Sequence, residues 1–259
     1  MTEIWSWIPM TDSGYLIIDG ANGQLGSYLA SYPQLQVYPQ LLLYHRRKDR
    51  LAGWHDTPER LIRSCDLLDP GALEAVISEA NDHFGAYPSR LIHTAAIRSS
   101  DAQSVADCDP EIFYNTMRVN LMSAMHMMKA VLKYMPARGF GRMVFLGSSV
   151  TATGLSRGAA YAASKAAIVN LVKSAALENA EHGILINCLS PAPVETELSD
   201  DYSGDYLEFR KRYFADHIAR TPTHKLVSLQ ELAVLSVLLL DNALQNLTGQ
   251  EIYVNGGSL

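Results

Sequence analysis

Along the chain, short runs of nearly continuous apolar residues alternate with longer stretches in which apolar positions recur at helical spacing. The short runs are YLIID (15–19), LLLY (41–44), RLIHTA (90–95), RMVFLG (142–147) and ILINCLS (184–190). Each has strand length and little polar alternation, as a parallel strand buried on both faces requires. Between them, Asp69 with Pro70 and Asp109 with Pro110 read as an N-cap followed by a first-turn proline. Ser228 with Glu231 forms a capping box before the apolar helix 229–240. This βαβ rhythm predicts an α/β fold: a single Rossmann-type, doubly wound parallel sheet of about seven strands, with helices on both faces. No repeat, low-complexity tract or Gly/Ser linker interrupts it, so residues 1–259 are expected to form one domain for dinucleotide binding and catalysis.

Composition narrows this reading. A chain of 259 residues, 48% of them hydrophobic, is long enough to bury one large core. A net charge of −6 with dispersed basic residues argues against a nucleic-acid partner, and the longest strongly apolar run, 233–240, is too short to span a bilayer. A cytoplasmic protein with no membrane partner is expected. The opening MTEIWSWIPM carries Glu3 and no basic leader, so it reads as a short packing arm. Cys65, Cys108 and Cys188 lie far apart, which suits reduced thiols and offers neither a disulfide framework nor a zinc cluster; no metal is expected.

The first run leads directly into DGANGQLG (19–26), placing Gly20, Gly23 and Gly26 at a turn and at the start of a helix. A glycine trio alone is often only a tight turn. Here the strand before it and LGSYLA after it supply the strand–turn–helix that aims backbone N–H groups at a pyrophosphate. Asn22, Gln24 and Leu25 complete the expected cofactor turn. At the end of the second strand, where an acid would select NAD, the chain reads YHRRKDR. His45 takes the acid's place, and Arg46 and Arg47 match a 2′-phosphate in charge and fork geometry, so NADP(H) is expected in preference to NAD(H). The bland alternative is a solvated basic turn. Asp66, followed by Leu67, either caps a loop or holds the adenine amino group.

In YAASK (161–165), Tyr161 and Lys165 stand one helical turn apart on one face. Taken in order, the glycine turn, YAASK and the terminal LTGQEIYVNGG resemble the short-chain dehydrogenase/reductase family over nearly the whole chain. Ser148, 13 positions before Tyr161, matches the family's catalytic serine, and Asn120 in RVNLMSA its asparagine. NCLSPAPVETEL resembles the segment bordering the nicotinamide, with Pro191, Val194 and Thr196 at the matching positions. Ala95 and Ala96, in HTAA, stand where the family backbone approaches the adenosine ribose.

The resemblance implies an NADP(H)-dependent interconversion of a carbonyl and a secondary alcohol, in a homodimer or homotetramer. Tyr161 would be general acid in reduction and base in oxidation. The Lys165 ammonium would bring the phenol toward working pH and hold the nicotinamide ribose, Ser148 would donate to the substrate oxygen, and Asn120 would fix a water linking Lys165 to solvent. The chain departs from the pattern in its GxxGxxG turn, in HTAA, in Asp19 for a common threonine and in Ala192 for a common glycine; small backbone shifts are expected to absorb the last two. Two alternatives remain: a noncatalytic NADP(H)-binding sensor or interaction protein, and an epimerase or dehydratase using the cofactor transiently.

Residues 196–225 form a long polar insertion expected to act as a substrate lid. Tyr206, Phe209, Tyr213 and His217 recur at helical spacing, either closing over substrate or packing on the core. Arg210, Lys211 and Arg212 would attract an anion, against the nearby Asp200, Asp201, Asp205 and Glu208. Met117, Met122, Met125, Met127, Met128 and Met135 follow Asp109, either as gap fillers or partly as a subunit face; His126 among them reads as packing or interface.

Overall fold

The computed structural model describes residues 14–98 and 102–258; the arm expected in MTEIWSWIPM lies outside them. Seven strands run parallel: β1 (Tyr15–Asp19), β2 (Gln40–Tyr44), β3 (Arg60–Ser64), β4 (Pro88–His93), β5 (Gly141–Leu146), β6 (Ile184–Pro191) and β7 (Glu251–Val254). Their order is β3-β2-β1-β4-β5-β6-β7. The chain steps outward from β1 to β3, then returns to lay β4 on the other side of β1. The crevice at the C-terminal ends of β1 and β4 is therefore the topological switch point, where such sheets bind ligands.

Successive side chains of a strand point to opposite faces, and the core divides accordingly. Tyr15 and Ile17 enter one cluster, packed with α2 (Pro70–Phe84), α4 (Ser123–Leu132) and α6 (Ala159–Asn179). Leu16 and Ile18 enter the other, beneath α1 (Gln24–Ser31) and α8 (Leu229–Leu240). Met127, Met128 and Met135 are buried in the first cluster, filling it as gap fillers do, while Met117, Met122 and Met125 remain partly exposed.

The predicted caps form. Asp69 accepts from the N–H groups of Gly71 and Ala72, Asp109 from Glu111, and Ser228 and Glu231 close a reciprocal box. β3 is the strand the hydrophobic pattern did not name: RLIRS sits at the sheet edge with only Leu61 fully buried, so its sequence carries little apolar signal. α3 (Pro110–Met117) passes into α4 through a π-helical turn, Arg118–Met122, centred on Asn120. A π-turn displaces side chains from the regular helical register and recurs at functional sites. The insertion contains α7 (Gly204–Arg220), and α5 (Val150–Thr153) is a single turn before α6. Among the described residues no helix is long and apolar enough to cross a membrane.

Candidate functional site

The three glycines of the first turn each meet a different demand. Gly20 has φ +61, the left-handed region, and a Cβ there would lie 2.6 Å from Thr94 Oγ1. Gly26 lies inside α1, where a Cβ would come 2.3 Å from the Gly20 carbonyl oxygen. Gly23 is the N-cap of α1; no side chain caps this end and no acid lies in its first turn. A helix start with unfilled N–H groups, pressed against a strand end, is the cradle an anionic pyrophosphate fits. Asn22 and Gln24, expected at the cofactor, direct their side chains elsewhere: Asn22 Oδ1 accepts from the Arg50 N–H at 2.9 Å, and Gln24 binds the Glu197 backbone.

Asp19 is built into a buried network. Fully buried, its Oδ1 accepts from the N–H groups of Thr94 (3.0 Å) and Ala95 (2.9 Å), and its Oδ2 lies 2.7 Å from His93 Nδ1. Thr94 Oγ1 donates back to the Asp19 carbonyl at 2.6 Å. Asp19 and the HTA of HTAA thus belong together, one carboxylate tying the ends of β1 and β4 across the switch point. Ala95 spends its N–H on Asp19, while Ala96 stays exposed.

After β2, Arg47 is held by Asp49 at 2.7 Å, while Arg46 carries no such pair among the described residues. His45 lies 3.9 Å from Asp66, both about half exposed, and Asp66 Oδ1 accepts from the Leu68 N–H at 2.9 Å. Asp66 therefore caps its own loop, and Leu67 is a core residue whose carbonyl meets His126 Nδ1 at 2.9 Å.

β5 delivers Ser148 and α6 delivers Tyr161 and Lys165 to the same crevice. Ser148 lies near the Tyr161 phenol and favours its anionic form. The Lys165 ammonium lies 5.7 Å from the Tyr161 ring centre and donates to the Leu146 carbonyl at 2.7 Å. Asn120 donates to the Ile97 carbonyl (3.0 Å) and to Ser164 Oγ (2.9 Å), and accepts from the Ile97 N–H (2.8 Å). It thereby pins the segment after β4 to α6, one residue before Lys165. Pro191, at the end of β6, accepts from the Ser149 N–H at 2.9 Å; Val194 bridges to Val227, and Thr196 Oγ1 faces the Val194 carbonyl at 3.4 Å.

Burial dominates both groups, raising the Tyr161 phenol above its ordinary value and lowering Lys165 to about 8. The cations that oppose the rise at Tyr161 are Arg98 and Arg210. Lys165, turned toward Leu146, is not among them. At Lys165, Cys188 and Asp19 oppose the fall and Arg98 adds to it.

The insertion is tied to the glycine turn through contacts the sequence did not disclose. Gln24 Nε2 donates to the Glu197 carbonyl (2.8 Å) and to Asp201 (3.0 Å), and Gln24 Oε1 accepts from the Glu197 N–H (2.7 Å). Arg50 pairs with Asp200, and Arg98 with Asp201. Thr151, Ser190 and Glu251 form a further cluster that supports the Ser148 backbone, Thr151 Oγ1 donating to the Ser148 carbonyl at 2.9 Å and Ser190 to Glu251 at 2.7 Å. No group of three or more His, Cys, Asp or Glu among the described residues could hold a metal ion.

Comparison with known proteins gives a consistent result. A family model described as Enoyl-(Acyl carrier protein) reductase matches residues 41–258, beginning after the glycine turn. The 3-oxoacyl-(acyl-carrier-protein) reductase of Escherichia coli (strain K12) is 29% identical over 192 residues, covering 74% of this chain and 75% of that protein. The enzyme of the same name from Buchnera aphidicola subsp. Schizaphis graminum is 32% identical over 167 residues, 64% of this chain and 65% of its own. Among solved structures, a putative gluconate dehydrogenase from Agrobacterium tumefaciens superposes with TM-score 0.82 at 24% identity, covering 96% of this chain and 98% of that one. Levodione reductase gives TM-score 0.83 at 22% identity, covering 95% and 97%.

Proposed function

The chain belongs to the short-chain dehydrogenase/reductase family, and from that premise we propose that it is an NADP(H)-dependent oxidoreductase in which Tyr161 exchanges the proton as a carbonyl and an alcohol interconvert. One observation carries the reading: Tyr161 and the buried Lys165 stand together on α6, the ammonium 5.7 Å from the centre of the phenol ring, with Ser148 near the phenol. The residues fit a dinucleotide, since Gly20 and Gly26 let the turn close tightly against the end of β4 and against the start of α1, and that helix start has no cap of its own.

Gly20, Gly23 and Gly26 would take the pyrophosphate, Arg46 the 2′-phosphate, and Pro191, Val194 and Thr196 the nicotinamide side. When bound, the nicotinamide supplies or accepts the hydride. Ser148 orients the substrate oxygen by a hydrogen bond. Tyr161, held protonated by burial, gives its proton to that oxygen in reduction and recovers it in oxidation. Lys165 is depressed to about 8, so it exchanges protons near neutrality and can restore the phenol. The names of the relatives, 3-oxoacyl reductases, support reduction as the working direction. The free Arg46 supports NADP(H) over NAD(H).

The test is a ketone and alcohol panel run with NADPH and NADH beside Tyr161→Phe. The variant is expected to bind NADPH normally while kcat falls by about 100-fold or more, the usual contribution of a general acid. Equal rates in both proteins would refute the assignment. An enzyme as fast with NADH as with NADPH would refute the cofactor preference alone.

A further inference from the structure

We propose that the substrate carries a carboxylate seated against the Arg210 guanidinium on α7, so that the enzyme reduces oxo acids and oxidises the matching hydroxy acids. This rests on the oxidoreductase reading and adds the charge of the substrate.

Three consecutive basic residues lie on α7, and they face different surroundings. Lys211 pairs with Glu208 at 2.8 Å, and Arg212 is exposed. Arg210 turns inward, its guanidinium carbon 5.2 Å from the ring centre of Tyr202, 5.1 Å from Tyr213 and 5.3 Å from Phe214. Ring faces attract a cation but do not satisfy its N–H donors as an oxygen does. Arg210 Nε is buried and has no hydrogen-bond partner among the described residues. A buried donor left unfilled costs stability, and a guanidinium presents a planar fork that matches a carboxylate.

The neighbouring acids do not fill it. Asp200 is taken by Arg50, Asp201 by Arg98 and Gln24, and Glu208 by Lys211, while Asp205 and Asp216 are exposed. The acidic residues that weigh against an anion in the sequence are thus directed elsewhere.

A second cation converges on the same place. Arg98, following β4, lies 5.6 Å from the centre of the Tyr202 ring and 3.5 Å from its hydroxyl. Two guanidinium groups therefore share one aromatic ring, and both favour the anionic form of the Tyr161 phenol. Arg98 is neutralised by Asp201, so the uncompensated charge beside the proton donor is that of Arg210. In reduction a hydride adds to the carbonyl carbon, the Tyr161 proton goes to its oxygen, and the carboxylate is unchanged.

The test compares acetoacetate, levulinate and benzoylformate, each beside its methyl ester, with NADPH and the full-length protein. The best acid is expected to exceed its ester in kcat/KM by about tenfold or more, as a charge-assisted pair supplies. The preference should weaken as ionic strength rises. Arg210→Gln should collapse the acid-to-ester ratio toward one, chiefly through KM, and Arg210→Lys should retain part of it. An acid-to-ester ratio near one in the unaltered protein overturns the proposal, as does a Gln variant that slows both in proportion. Should that variant fail to fold, the ratio in the unaltered protein and its salt dependence decide. Reduction of esters and plain ketones without acid preference defeats this inference and leaves the oxidoreductase reading intact. No reduction of any carbonyl, with Tyr161→Phe no different, defeats both.

Discussion

Lys165 is an ammonium about 3% exposed, and its burial has a measurable consequence. Its value falls from 10.5 to about 8 because the fold disfavours the charged form. For a base whose folded value lies below its unfolded one, the unfolded chain binds the proton more readily. The penalty is therefore fully present below pH 8 and disappears as pH rises through 10.5. Its size is on the order of 3–4 kcal/mol at one pH unit per ~1.4 kcal/mol. Lys165→Met removes the penalty and forfeits the Leu146 hydrogen bond, worth about 1 kcal/mol. Urea denaturation at pH 7 should find the variant more stable by roughly 2–3 kcal/mol, with the advantage gone by pH 10.5; a pH-independent difference would contradict the assignment. The position of Lys165 was legible in YAASK. Its electrostatic role was not, because burial and the approach of Arg98 and Arg210 to Tyr161 come from elements distant in sequence.

Among the elements, the glycine turn and the insertion show where spacing informs and where it cannot. The strand–turn–helix around Gly20, Gly23 and Gly26 follows from local chemistry, and the structure gives Gly20 and Gly26 a steric reason. Gln24 was legible only as part of that turn. Its amide instead forms a two-way link with Glu197, 173 residues away, which no local pattern encodes. Residues 197–201 are thus fastened to the start of α1 beside the glycine turn. Gln24→Ala should speed amide hydrogen exchange at Glu197 by about tenfold, since local opening there loses its two anchoring bonds, while exchange in β1 and β4 stays as it was. Unchanged exchange at Glu197 would show that the Arg50–Asp200 and Arg98–Asp201 pairs hold the lid without it. β3 escaped the hydrophobic pattern for a different reason. As an edge strand, it needs one buried apolar residue and its backbone pairing with β2.

Across the whole molecule, the two ends of one parallel sheet have separate tasks. The C-terminal ends carry the crevice, and the alternation of strands and helices made that polarity readable before any contact was known. The N-terminal ends hold two buried arginines on adjacent strands, Arg90 and Arg142, which the sequence reading passed over because they sit inside otherwise apolar runs. Arg142 donates to the carbonyls of Gly141 (2.8 Å), Gly183 (2.9 Å) and Leu244 (2.8 Å) and lies 4.3 Å over the Phe140 ring. It ties β5 to the turn before β6 and to the chain leaving α8, which keeps the last third of the fold against the sheet. Arg142→Met strands those carbonyls and should cost about 2–4 kcal/mol in urea denaturation. Because the site lies at the opposite end of the strands, titration of the same variant with NADPH should give a dissociation constant within about twofold of the parent, as distant independent sites behave. A large loss of cofactor affinity without loss of stability would mean that the two ends are coupled through the sheet, a connection that the rigid packing of a continuous parallel core does not by itself provide.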